Sequence, residues 1–485
     1  MLLGNILLPL LCFVSSTQRR VFHSDDKNIH VLNVLLDPSA TAWMEGVFNL
    51  SPSDSDSKQT ERSKGNFNFP TLEPNNNSKQ TEICANRGKT AKFMLAWPSI
   101  TTFTLVEGWN EQTTNNLKNA VQTVLSRNPI LTGRASVTNI FDTKISIIPS
   151  EKYRVSEYIF ETKIGVDDLS AITNLDFNNM NPSETLQFMD EYIAPLVPSA
   201  SSTFGSIKDQ KPLFRIDVIQ LPNNYACYAL TLSHCVGDGV TYYHLMEEIN
   251  REMNILKPHH ELVWSHPSIE NHEVFPERFS KLDTEISYGF PFFIGLVRNM
   301  IFRMKNQKKS YIFLDRNKIE AKKKGLQELG CGHLSDNDII TAALCEGNKS
   351  SDIFAFTMNM RDRHDHFGGN FHNEIPFKRE SAENPVAFRQ IVRKGYYYEH
   401  NELPFLPFLL GDVGRISSLA SVQKGKLIQP PDTSRIICHS MLSSFVENVP
   451  LDTAFISLMN DSTYVVLHNF RDVELKEGSL GELQC

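Results

Sequence analysis

Apolar positions along this chain recur at two spacings, that of a half-buried strand and that of a helix with one apolar face. Phe93 to Val106 reads as extended, and between Asn110 and Arg127 the residues Leu117, Ala120, Val121, Val124 and Leu125 share a helical face until Pro129 stops the run. Asn181 as cap, Pro182 at the first position and Glu184 three residues past the cap predict a second helix, with Leu186, Met189 and Ile193 inward. Pro212 to Val218 and Tyr225 to Ser233 read as a strand pair turned at Pro222-Asn223-Asn224. The second strand sends Cys227, Ala229, Thr231 and Ser233 one way and Ala226, Tyr228, Leu230, Leu232 and His234 the other. From Val240 to Ile255, Tyr242, Leu245, Met246, Ile249 and Met253 return to helical spacing.

The later part of the chain repeats this alternation. Tyr311 to Leu314 predicts a short strand, Asp315 opens a lysine-rich helix, and Ser335 with Asp338 caps another helix that stops at Gly347. Ile353 to Met360 is an almost unbroken apolar run, which predicts a strand buried on both faces that carries Asn359 and Arg361 to its carboxyl end. Leu256 to Asn306 is less periodic and reads as a bridge. Ser51 to Glu82 is polar and repeats Ser-Lys-Gln-Thr-Glu at Ser57 to Glu61 and Ser78 to Glu82, so it is expected to be disordered. The expected organisation is a leader and low-complexity segment over 1–90, one folded unit over 91–265, a crossover over 266–310 and a second folded unit over 311–485.

Composition narrows the function classes. With 485 residues, 41% of them hydrophobic and 21% charged, the chain suits a large globular core. The 48 basic against 56 acidic residues give a charge of −8 and offer nucleic-acid phosphates no basic excess. The eight cysteines are scattered without a Cys-x-x-Cys pair, so no structural metal is expected and a reducing compartment suits them better than a disulfide framework. Met1 to Val14 is apolar, but Asn5 and Pro9 interrupt it and no positive n-region precedes it. A cytoplasmic location is therefore expected, with a secretory or organelle leader at 1–16 as the alternative. Asn49, Asn76, Asn348 and Asn460 open Asn-x-Ser triplets that match the glycosylation acceptor pattern. No uninterrupted apolar run reaches the roughly 18–20 residues that a spanning helix needs.

The candidate chemistry lies in Ser233-His234-Cys235-Val236-Gly237-Asp238-Gly239, between a predicted strand and a predicted helix. A thioester carbonyl is already activated, so acyl transfer from it needs no protein nucleophile. One histidine can take the proton of the attacking group. The glycines beside Asp238 read as allowing a sharp turn. Asp238 reads either as the cap of the helix that follows or as a residue pointing back to hold the loop. Taken alone, a histidine at a strand end reads more readily as a satisfied core or loop residue than as a base, and it is the further strings around His234 that shift the reading. Cys235 should point to the opposite face and reads as a small buried residue rather than a nucleophile.

His234, Asp238 and Gly239 form a His-x-x-x-Asp-Gly signature, and several further strings stand around it in order. They are Pro129-Ile130-Leu131-Thr132-Gly133-Arg134, Pro212-Leu213-Phe214-Arg215, the helix start Ser335-Asp336-Asn337-Asp338, Asn359-Met360-Arg361 and Phe367-Gly368-Gly369-Asn370. In this set the chain resembles the superfamily of chloramphenicol acetyltransferase, the condensation domains of nonribosomal peptide synthesis, the plant and fungal BAHD acyltransferases and the wax ester synthases. The resemblance covers about Ala91 to Asp472. It departs from the pattern at Ser233, where a second histidine often stands, and in lacking the Asp-Phe-Gly-Trp-Gly string of most plant BAHD enzymes.

The resemblance implies an α/β fold of the α+β type. Two similar chloramphenicol-acetyltransferase-like subdomains, each a mixed sheet flanked by helices, would be joined by the crossover and meet around a tunnel, with the signature in the 91–265 unit. It implies an acyltransferase in which His234 deprotonates a hydroxyl or amine acceptor, the donor being acyl-CoA or a carrier-protein thioester, with no tightly bound cofactor. Asp238 and Gly239 would support the motif, with Arg361 as candidate partner of Asp238 against the alternative that Arg361 packs or faces solvent. Ser440, in Cys438-His439-Ser440-Met441, is the candidate oxyanion donor against a surface hydroxyl. A monomer is expected. Tyr288 to Arg303, followed by Lys305, Lys308 and Lys309, reads as a bridging segment, with peripheral membrane contact through 288–303 and a lipid or wax ester synthase as the alternative. A degenerate member that binds a thioester or partner without turnover is the non-enzymatic alternative.

Overall fold

The computed structural model describes residues 81–82, 99–139, 144–164, 176–198, 211–254, 262–264, 294–295, 298–299, 309–359, 361, 367–370, 372–395, 397, 405–429, 435–447, 449, 451–471 and 479–485. The leader at 1–16 and nearly all of the 266–310 crossover lie outside the described residues, and of the 288–303 stretch only 294–295 and 298–299 are described, Asn299 being buried and donating to Gly411 O at 2.9 Å. No helix among the described residues is long and apolar enough to cross a membrane.

Two mixed sheets organise the molecule. In chain order their strands are β1 (Ile100–Glu107), β2 (Ile159–Lys163), β3 (Phe214–Gln220), β4 (Tyr225–Leu232), β5 (Ser310–Asp315), β6 (Ile353–Asn359), β7 (His372–Lys378), β8 (Val413–Ser418), β9 (Arg435–Met441), β10 (Asp452–Leu458) and β11 (Thr463–His468). The first sheet has the order β9-β1-β4-β3-β2, antiparallel except for the β2/β3 pair. The second has the order β7-β6-β8-β10-β11-β5, in which β6/β8 and β8/β10 are parallel.

The expected boundaries at 265 and 311 do not describe β9, which comes from the last quarter of the chain and pairs with β1 in the first sheet. This exchange ties the two halves by backbone hydrogen bonds. The polar 51–82 segment also ends differently from the expectation. Thr81–Glu82 pairs with Lys144–Ile148, whose other neighbour is Arg134–Asn139. An edge pairing of this kind is made by backbone groups and asks little of the side chains.

Helix α1 (Glu111–Arg127) is capped by Asn110, whose side chain accepts from the Thr113 amide, and α2 (Gly239–Met253) is capped by Asp238. Their inward residues pack with Ala226, Tyr228, Leu230 and Leu232 of β4 in one core. Cys227 and Ala229 face the other way, into a core with Phe103, Leu105, Leu186, Met189 and Ile193, as the alternation along β4 predicts. The predicted capping box at Asn181 and Glu184 is present, although the helix loosens into a π turn over Met189–Ile193. Asn223 and Asn224 take φ near 60° and join β3 to β4 in a two-residue turn, for which Asn is suited.

Behind the second sheet lie α3 (Arg316–Glu328), α4 (Asp336–Gly347) and α5 (Pro385–Lys394). Ile319, Ile339, Ile340, Leu344, Phe388 and Ile391 cover Phe354, Phe356, Ile375, Ile416 and Ile456 there. The Ser335 and Asp338 capping box forms as predicted. Ile353 to Phe356 of β6 are buried, but Thr357 and Met358 are half-buried and Asn359 is exposed, so the strand is not shielded along its whole length. Asn348 is fully buried, and its side-chain oxygen accepts from the amide and hydroxyl of Ser350, so this Asn-x-Ser triplet is a packed turn.

Candidate active site

β4 ends at Leu232, and the chain turns at once: the Ser233 amide donates to Leu213 O at 2.7 Å and the Val236 amide to Ser233 O at 2.9 Å. His234 sits in this turn with 6% of its surface exposed. Neither Gly237 nor Gly239 takes positive φ, and both positions are places of close approach. A Cβ on Gly237 would meet Cβ and Cγ2 of Thr241 at 2.6 Å, and one on Gly239 would meet Cδ2 of Leu419 at 2.5 Å.

Asp238 fills both roles open to it. It caps α2, accepting from the Thr241 amide at 3.1 Å, and it accepts from Arg361 through both oxygens, Nη1 to Oδ2 and Nη2 to Oδ1, each at 2.8 Å. Arg361 is fully buried and Asp238 is 4% exposed. The guanidinium also donates to Gly369 O at 2.7 Å, Thr241 Oγ1 at 2.9 Å and Asn359 Oδ1 at 3.2 Å. The Asn370 side chain donates to the carbonyl of His234. The Asn-x-Arg and Gly-Asn strings therefore cradle the histidine turn from the second half of the chain. Burial alone would raise the Asp238 carboxyl, but Arg361 and His372 hold it well below the usual carboxylate range.

Above this turn is a cavity of about 250 Å³. Residues of the first half, among them Ile100, His234, Gly239 and Val240, line it together with Met441 of β9, and the second sheet lines it from across. The strand registers put Thr357, Asn359, His372, Glu374, Arg415 and Ser417 on one face of that sheet, opposite to the face that carries Phe356 and Ile416 into the core. Glu374 and Arg415 are almost fully buried and form an ion pair over β6, close to Ala355 and Thr357. His372 Nδ1 lies 3.7 Å from Asp238 Oδ2. Burial, with His372 nearby, pushes the His234 imidazole down to about 3 against the opposing pull of Asp238, so it is neutral at physiological pH.

Of the residues singled out in the sequence, His234, Asp238, Gly239 and Arg361 come together here. Ser440 does not join them. Alternation along β9 turns Met441 into the cavity lining and leaves the Ser440 hydroxyl buried without a hydrogen-bond partner. Cys235 is buried in the core and does not line the cavity. His372, Glu374 and Arg415 went unnoticed in the sequence. Among the described residues, no cluster of three His, Cys, Asp or Glu side chains is placed to hold a metal ion.

No protein-family model matches the sequence, and no curated protein matches it. Among solved structures, the chain is similar to TRI101 of F. sporotrichioides complexed with coenzyme A and T-2, at 9% identity over 84% of this chain and 99% of that one, TM-score 0.48. It is similar to vinorine synthase at 12% identity over 80% and 90% of the two chains, TM-score 0.47. It is also similar to the first condensation domain of the CDA synthetase at 9% identity over 79% and 87%, TM-score 0.47. At such identities and TM-scores no role passes from these proteins to a residue of this one.

Proposed function

We propose that the protein transfers an acyl group from a thioester, acyl-CoA or the thioester of a carrier protein, to a hydroxyl or amine acceptor, with His234 as general base. The observation that carries this reading is a buried, neutral histidine in a cavity between two sheets, with its backbone turn fixed by the Asp238 and Arg361 ion pair. The neutral imidazole takes the acceptor's proton as the acceptor oxygen or nitrogen attacks the thioester carbonyl carbon. The tetrahedral oxyanion then collapses, the C–S bond breaks, and the proton passes from the imidazolium to the departing thiolate. No covalent intermediate on the protein is required. The imidazolium formed on the way is disfavoured by burial, and the Asp238 carboxylate and the Asn370 side chain are the neighbours that favour it.

Labelled acyl-CoA with a mixed metabolite pool of alcohols and amines tests the reading. The wild type is expected to form labelled product, and His234→Ala to lose at least about a hundredfold in rate, the usual scale of general base catalysis, at an unchanged melting temperature. An equal rate in the folded variant sinks the assignment of the base.

A further inference from the structure

His439 and His372 differ in how their rings are held. His439 on β9 has both nitrogens engaged, Nδ1 with Thr104 Oγ1 at 2.8 Å and Nε2 with Tyr243 Oη at 2.9 Å, as a histidine that serves the core should. The His372 side chain is 8% exposed and lines the cavity beside His234, yet neither nitrogen has a hydrogen-bond partner among the described residues. A buried ring nitrogen left without a partner carries its desolvation cost uncompensated. That cost is recovered when a ligand brings the missing partner.

The neighbours set what that partner must be. Nδ1 faces the Asp238 carboxylate at 3.7 Å, too far for a hydrogen bond, and in the neutral ring that carboxylate favours the tautomer with its proton on Nδ1. Nε2 then presents a lone pair and needs a donor. The thioester carbonyl has none, whereas a hydroxyl or N–H group does.

We propose that His372 positions the acceptor: its Nε2 accepts a hydrogen bond from a hydroxyl or N–H of the molecule whose proton His234 removes. This rests on the acyl-transfer reading of the site. The acceptor would accordingly be a molecule that offers a hydrogen-bond donor to the second sheet as well as a nucleophile to His234, such as a diol or an amino alcohol. Glu374 and Arg415 extend the same polar face away from the histidines.

Full-length protein labelled with ¹⁵N and ¹³C in histidine tests this, the His372 ring signal being identified by its loss in His372→Gln. Benzyl alcohol and benzyl methyl ether serve as probes that differ in the one donor. The alcohol is expected to shift the His372 signal saturably, and the ether to leave it in place. A signal unmoved by the alcohol, or moved as far by the ether, overturns the proposal. In turnover, His372→Phe is expected to raise the acceptor KM at least tenfold and leave the thioester KM within twofold, with His372→Gln between it and wild type. An effect on the thioester KM alone overturns the proposal as well. If no thioester is turned over, the acyl-transfer reading fails, and the ring signal still decides the role of His372.

Discussion

Arg361 and Asp238 are 123 residues apart in sequence and meet in a two-pronged ion pair in which neither side chain is open to water. Such a pair is worth little against an apolar replacement of both partners, but removing one leaves a buried charge uncompensated. Arg361→Met is therefore expected to cost on the order of 3–5 kcal/mol in denaturant unfolding. Arg361→Lys should not restore it, because one ammonium cannot serve both carboxylate oxygens together with Gly369 O and Thr241 Oγ1. A loss below about 1 kcal/mol, the range of exposed pairs, would show that the ion pair does not hold the halves together.

Gly237 and Gly239 flank the same aspartate but should respond differently to a methyl group. A Cβ on Gly237 meets Thr241, whose hydroxyl is fixed by Gly369 and Arg361 and cannot yield. Gly237→Ala is expected to destabilise by about 1–3 kcal/mol, as overpacking does. A Cβ on Gly239 meets the far end of the Leu419 side chain, which lines the cavity and can swing. Gly239→Ala is expected to keep the melting temperature within a few degrees and to lower turnover by shrinking the cavity. Thermal melts and thiol release on both variants read the contrast; equal melting losses would contradict it.

Most of the scaffold was legible in the sequence because helix caps and one-sided apolar faces are local signals. Asn181, Asp238, Asp315 and Ser335 all cap the helices they announce. The motif residues of the site were legible for a different reason, since they form an ordered set along the chain. His372, Glu374 and Arg415 were not, and the cause is physical. A sheet face that lines a cavity carries the same alternation of polar residues as a face in water, so His372-Asn373-Glu374-Ile375 gives no sign of lining one. The placement of β9 in the first sheet was hidden as well, because that pairing joins residues more than three hundred positions apart, such as His439 and Thr104, |i−j| 335.

The buried histidines make stability depend on pH in one direction. Burial pushes His234 and His439 down to about 3 and His468 down to about 4, from an ordinary value of 6.5. Between those values the unfolded chain binds protons that the folded chain excludes, so their contribution to stability is complete above about pH 6.5 and is lost as the pH falls. Each imidazole takes away about 1.4 kcal/mol per pH unit in that window, or about 2 kcal/mol by pH 5. His439→Gln isolates one of them away from the cavity. At pH 7.5 the variant loses the ring's bonds to Thr104 and Tyr243 and should be less stable than wild type. At pH 5 it is spared the proton that His439 must shed to fold, so the gap should narrow by about 2 kcal/mol. Urea midpoints at the two pH values measure it, and a gap of constant size would mean that His439 binds its proton equally well folded and unfolded.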